Sequence, residues 1–336
     1  MRIGKFIMGL ICVLMILFIT VGGIKYFKYG NDEYYAGYMS TTSSGNNSSK
    51  YVTVIDHTTK VKDATINSES DSIKLIQNEA SLQEGKCNNN INYLEKDLSE
   101  YTNIYGVNFC EIDSQDVVAI VDTIKNVFEK FPDIRNFLTN VSIVNDGGTN
   151  SYIAAFKPAY TFATSNNSSK YPFVIKMQLL LNASYYLNDQ YLDNVIKNAV
   201  ETNYFPKDTT KESLVAHELG HALTYILDIK YNNSVNTLLL KKEDFKKYTS
   251  TLKDYTENTF SKKIYNDAYL NYCYKYGNIS EEEFRKNISL YADSKDAAGN
   301  VIYNETIAEA FHDYYLHGDK AKKESIEIMN VLNQYL

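Results

Sequence analysis

The chain has 336 residues, room for one large or two modest domains, and a hydrophobic share of 44% that can build a core. Its formal net charge of −7, with no basic stripe, argues against nucleic-acid binding. The four cysteines, Cys12, Cys87, Cys110 and Cys273, form no C-x-x-C pair, which argues against a thiolate zinc site; a Cys87–Cys110 bridge is one open pairing, with Cys273 left over.

Residues 6–24 are uncharged and mainly apolar. At 1.5 Å per residue the run comes to roughly 28 Å, about the thickness of a bilayer's hydrocarbon core. Arg2 and Lys5 precede it; Lys25 and Lys28 follow, interleaved with Tyr26, Phe27 and Tyr29, which suit an interfacial belt. The run is long for the apolar part of a cleaved signal peptide, and no A-x-A site follows. An uncleaved, single-pass signal anchor is therefore expected, with secretion after cleavage as the alternative. Lys and Arg are even across the span, but the α-amine and Asp32-Glu33 favour residues 1–5 in the cytoplasm and the bulk of the chain outside the cell. Residues 25–71, with Ser43-Ser44-Gly45-Asn46-Asn47-Ser48-Ser49 at their centre, have too little apolar content for a core and read as a flexible polar stalk.

Residues 72–113 form a helical lead-in, patchily periodic at 72–82 and 91–101. From Ser114, Val117, Val118, Ile120, Val121, Ile124, Val127 and Phe128 recur at helical spacing, which predicts a long helix to about residue 130. Three strands are expected next. The first is 141–145. The second is 152–164, which Pro158 limits to an edge or a break. The third is 171–181, where Ile175, Met177 and Leu179 alternate with Lys176 and Gln178. That third strand is either an edge that holds an extended peptide or an ordinary half-buried strand. Residues 185–200 are again helical.

Within an apolar helical pattern stands His217-Glu218-Leu219-Gly220-His221, the H-E-x-x-H spacing. Positions four apart share a helix face, so His217 and His221 can aim both imidazoles at one ion. Glu218 is turned about 100° from His217, poorly placed as a ligand but within reach of a water beside the metal, as a general base requires. Gly220 lets another backbone come close. Thr209 and Glu212 are the expected capping box. Residues 241–276 are charged, Tyr-rich and helical, and read as a solvated insertion. Glu281-Glu282-Glu283 reads as an acidic helix start. In Glu305-Thr306-Ile307-Ala308-Glu309 both carboxylates fall on one helix face, and Glu305 is the candidate third ligand, with His312, Asp313 and His317 offset from that face. Residues 320–336 should close the fold, with Ile326, Ile328, Met329 and Leu332 inward.

The pair H-E-L-G-H-A and, far downstream, E-x-x-A-E-A-F resembles the catalytic domain of the anthrax lethal factor type, a family that includes clostridial Pro-Pro endopeptidases. The resemblance spans 114–336. It implies an α+β, zincin-like metallopeptidase domain, a small sheet over the H-E-x-x-H helix, with Zn2+ as cofactor and a protein or peptide as substrate. Carried over by motif, His217, His221 and Glu305 are the ligands, Glu218 the catalytic base and Glu309 an acid that orients a ligand histidine. The family's oxyanion tyrosine is best matched by Tyr291, with Asp293 to Val301 as an insertion; Tyr303 is the rival by proximity. The alternative is a non-catalytic surface protein that keeps the zincin shell. Oligomeric state and cleavage specificity stay open.

Overall fold

The computed structural model describes residues 60–62, 66–68, 70–71, 74, 106–109, 112–135, 138–144, 152–164, 170, 173–231 and 239–336. The expected anchor, most of the stalk, nearly all of the two early helices, and Cys12, Cys87 and Cys110 lie outside the described residues. Among the described residues no helix is long and apolar enough to cross a membrane, and Cys273 is a free thiol.

The described strands form one mixed sheet: β1 (Lys60–Lys62), β2 (Gly106–Asn108), β3 (Asn140–Val144), β4 (Ala154–Thr164), β5 (Phe173–Asn182) and β6 (Leu239–Leu240). The order is β1-β4-β5-β3-β2, and β6 pairs with the start of β5. β4 and β5 run antiparallel from Ala154↔Leu181 to Phe162↔Phe173, and β3 lies parallel on the other side of β5. β5 is thus an interior strand, not a peptide-holding edge. It is also buried on both faces along Met177, Gln178, Leu179 and Leu180. The alternation of its sequence hid this because Gln178 is itself buried. β4 is the strand with an outer side: β1 meets it only at Phe162, Ala163 and Thr164. Phe156 turns its N–H to that outer side, so Pro158, two residues on, places its missing donor there and costs no ladder bond. β1 falls inside the segment expected to be a spacer, and Ile66 just after it is buried; the folded body therefore starts earlier than the polar composition suggests.

Helix α1 (Ser114–Lys130) is capped by Asp113, whose carboxylate accepts the Gln115 N–H at 2.8 Å, and buries Val117, Ile120, Val121, Ile124, Val127 and Phe128 on one face. Short α2 (Pro132–Arg135) and α3 (Ala183–Tyr186) flank β3 and β5, and α4 (Asp189–Glu201) follows. α5 (Leu214–Tyr231) is buried at every position from Leu214 to Ile229, as a helix apolar on all sides should be. It lies between β4, α1 and a later helix, α9 (Tyr303–His317).

α6 (Phe245–Thr256) and α7 (Thr259–Tyr276) correct the expected solvated insertion. Tyr248, Leu252, Tyr255, Phe260, Ile264, Tyr265 and Ala268 are buried, and α7 packs along α9 and α10 (Lys323–Leu332). Tyrosine explains the error: its ring carries core-sized apolar area while its hydroxyl gives the sequence a polar look. α8 (Glu281–Ile288) starts as expected, with Ser280 Oγ accepting the Glu283 N–H at 3.0 Å and three glutamates on its first turn. On α10, Ile328, Met329 and Leu332 face inward with Val331, while Ile326 is half-buried.

Candidate metal centre

α5 starts from a reciprocal cap. The Thr210 N–H donates to Ser213 Oγ at 2.9 Å and the Ser213 N–H to Thr210 Oγ1 at 3.2 Å. This displaces the expected Thr209/Glu212 pair; the Thr209 hydroxyl instead donates to the Pro206 carbonyl at 2.7 Å. One turn further on, His217, Glu218 and His221 form a buried group whose donor atoms lie within 4.8 Å of one another.

α9 supplies the acids. Gly220 faces Ala308 and Phe311, so the two helices meet almost backbone to backbone. At that crossing Glu305 Oε2 lies 3.3 Å from His217 Nε2 and 3.3 Å from His221 Nε2, and the two ring nitrogens are 3.2 Å apart. Donors at about 2.0–2.1 Å around a tetrahedral ion stand roughly 3.3 Å from each other, so the three atoms have the spacing of three corners of such a site. Glu305 Oε2 is buried and has no hydrogen-bond partner, an unmet demand that a cation would fill.

Around the triangle, Glu309 Oε1 lies 2.8 Å from His217 Nδ1, and Glu309 Oε2 accepts the Ser289 hydroxyl at 2.6 Å. Glu218 Oε2 accepts the Phe156 N–H at 2.6 Å, which ties the helix to the outer side of β4. Phe156 is anchored in turn against Tyr225 and Tyr255, ring centroids 6.2 and 6.4 Å away.

The charges follow from burial and neighbours. Burial pushes Glu305 and Glu309 up, but the close approach and charge of the histidine rings outweigh it; Glu305 falls well below the carboxylate range and Glu309 falls to about 2. His217 is the other half of that balance: burial disfavours its charge, yet the nearby carboxylates of Glu305 and Glu309 raise it. Burial and the charge of Glu305 raise Glu218 above an ordinary glutamate against the lowering pull of His217, His221 and the Phe156 N–H, a shift toward the range a general base needs.

Tyr291 stacks on His217 with centroids 5.6 Å apart, and on Tyr204 at 5.3 Å. Burial and the Glu305 carboxylate raise its hydroxyl well above 10, so it stays a donor. It sits in a 3-10 turn, Tyr291–Asp293, held by the Thr306 hydroxyl on the Ala292 carbonyl at 2.7 Å and by the Arg285 guanidinium on Asp293 at 2.7 Å. The residues between Tyr291 and Glu305 form a closed excursion, bridged at Lys295↔Val301 and by the Ile302 N–H on Ser294 O at 2.9 Å; the extra length returns to its starting point. The rival Tyr303 faces away, packed on Tyr265 at 4.9 Å with Lys262 over its ring. His317 is bound to Asp313 at 2.8 Å, away from the triangle.

The structure adds groups that the sequence did not suggest. The Phe156 N–H is a backbone donor and has no sequence signal. Ser289 and Tyr204 come from distant elements. His312, which the sequence offered only as a competitor offset from the Glu305 face, makes a second buried group with His217 and Glu309.

No family model, no curated protein and no solved structure matches the chain. On its own coordinates it is an α+β protein with a buried His/Glu cluster on a helix, suited to a metal ion, with a downstream glutamate beside it.

Proposed function

We propose that the chain is a zinc-dependent endopeptidase of the zincin type, with the fold and site that the lethal factor-like motifs imply. The observation that carries the reading is the triangle of His217 Nε2, His221 Nε2 and Glu305 Oε2, at 3.2 to 3.3 Å on each side. Two imidazoles and a carboxylate with one open position are the donor set of a catalytic zinc site. These three residues hold the ion, and Glu309 fixes the ring of His217 through Nδ1. When bound, zinc supplies an acidified water and a Lewis acid for the scissile carbonyl. Glu218 takes the proton of the attacking water and later delivers it to the departing amine. The Phe156 N–H holds one oxygen of Glu218 and leaves the other for that exchange. Tyr291, protonated and stacked on His217, would donate a hydrogen bond from its hydroxyl to the oxyanion.

A peptide lies along the outer side of β4, which among the described residues has no strand partner from Ala154 to Thr161 and ends beside Glu218. Residues 6–24 tether the protein to the membrane with this domain outside the cell, a reading supported by the sequence run alone. Protease added to intact cells should then remove the C-terminal part; its survival would reverse the orientation.

The central experiment on activity is a peptide-library digest with the wild type and Glu218→Gln. The variant should keep its zinc and lose turnover at least about a hundredfold, the scale of a general base. Equal cleavage by both proteins would remove Glu218 from the mechanism.

A further inference from the structure

Behind Glu309 the site continues into a second buried histidine that the mechanism does not use. His312 is fully buried, and its two ring nitrogens face different partners. Nε2 lies 2.9 Å from Ser213 Oγ, in the cap of α5. Nδ1 makes no hydrogen bond and is aimed at Glu309 Oε1, 3.9 Å away. That distance is too long for a hydrogen bond but short for an electrostatic preference between two fully buried groups. A carboxylate facing Nδ1 favours the tautomer with the proton on Nδ1. Nε2 is then an acceptor. Ser213 has one hydroxyl hydrogen and two acceptors within reach, the Thr210 carbonyl at 3.0 Å and His312 Nε2 at 2.9 Å; the tautomer draws it to the imidazole.

We infer that His312, backed by Ser213, is a positioning residue of the metal centre: a chain Ser213 O–H to His312 Nε2, His312 Nδ1–H facing Glu309, and Glu309 on His217 Nδ1–H turns Nε2 of His217 toward His221 and Glu305. The chain joins the first turn of α5 to α9, so the two helices that carry the ligands are also locked by their second layer. Glu309 has Ser289 on its other oxygen at 2.6 Å, and His312 is what fixes the remaining side.

The inference rests on the metal reading, and two measurements on the full chain in detergent separate them. Long-range 1H–15N NMR of the metal-free, 15N-histidine-labelled protein, which has five histidines, should show His312 as the Nδ1–H tautomer. Finding Nε2–H overturns the inference without any variant and without any metal. Cobalt titration, followed by its visible bands, should give wild-type binding, a 10–100-fold weaker dissociation constant with altered bands in His312→Phe, and recovery in His312→Asn, whose amide can occupy the Nδ1 side. If His312→Phe does not fold, Ser213→Ala, which removes the partner of His312 Nε2, should weaken cobalt binding and alter the bands in the same direction; wild-type affinity and bands in Ser213→Ala would then overturn the inference. Wild-type affinity and bands in a folded His312→Phe overturn the inference and leave the metal site standing. A wild type that takes up no cobalt overturns both.

Discussion

Where α5 crosses α9, a Cβ added to Gly220 would lie 2.9 Å from Phe311 Cβ and 3.1 Å from Ala308 Cα. Neither contact can yield by rotating a side chain, so the helices must part. Gly220→Ala should therefore cost about 1–3 kcal/mol, the range for overpacking, and weaken metal binding, because Glu305 moves with α9. Urea unfolding with a parallel metal titration checks this; an unchanged midpoint and affinity would mean that the crossing is looser than it looks. A second residue-scale prediction concerns His217. Burial lowers its pKa, but the carboxylates of Glu305 and Glu309 close to its ring outweigh that and raise it. A raised pKa favours the protonated ring, and that proton must leave when an ion takes Nε2, so affinity falls as pH falls. For the metal-free fold the sign is the usual one for histidine: the proton's stabilisation is complete below about pH 6.5 and is lost as pH rises through the folded value. Calorimetry in two buffers should show proton release on metal binding that grows as the pH is lowered; no release at any pH would contradict the direction of the shift. Of these residues the pairing of His217 and His221 on one face was legible from spacing alone, because positions four apart on a helix share a face. The carboxylate partners were legible only as a pattern, since Glu305 and Glu309 acquire meaning from where α9 crosses α5.

The short turn that carries Tyr291 is the element on which a tyrosine's role depends. Arg285 reaches across to it, with its Nε on Asp293 at 2.7 Å and its Nη1 on the Tyr265 hydroxyl at 3.0 Å. Both Arg285 and Asp293 are buried, so removing Arg285 leaves Asp293 only the half-exposed Lys295, 3.5 Å away. Arg285→Ala should cost about 3–5 kcal/mol, and in the folded fraction it should lower turnover more than metal content. Denaturation combined with kcat per bound metal tests it; a stability loss with kcat per metal unchanged would make the turn a brace only. The elements also show where patterns mislead. α1 and the H-E-x-x-H helix were legible because their apolar stripes are Val, Ile and Leu. α6 and α7 were not, because their inward faces are largely tyrosine (Tyr248, Tyr255, Tyr265) and their lysines dominate any polarity count. β5 looked like a half-buried edge because alternation reports side-chain polarity, whereas its neighbours β4 and β3 are set by topology. β4 held its own signal in Pro158, a residue that the interior of a sheet does not accept.

At the scale of the whole molecule, one crossing organises the rest. The sheet covers α5 from one side through Phe156, α9 brings the acids from another, and α7 and α10 brace α9 from behind. The long sequence interval between the two motifs holds α6, α7 and α8, which build core around the site without separating its parts. The α+β class was legible in the mix of period-two and helical segments, while the finer architecture came only from the resemblance of the two motifs; the order of the strands was not legible, because a strand's own pattern does not say which strand lies beside it. An ion that binds only the folded site must stabilise the whole body by mass action, by about 4 kcal/mol at a thousandfold excess over its dissociation constant. Chelation should lower the melting temperature of the wild type and leave that of Glu305→Ala where it is; an equal drop in both would place the ion elsewhere. The most direct test of the account is metal stoichiometry by mass spectrometry after exhaustive dialysis of the wild type, Glu218→Gln and Glu305→Ala. One zinc per chain in the first two and a large loss in the third is the predicted result; a metal-free wild type, or full occupancy in Glu305→Ala, would contradict it.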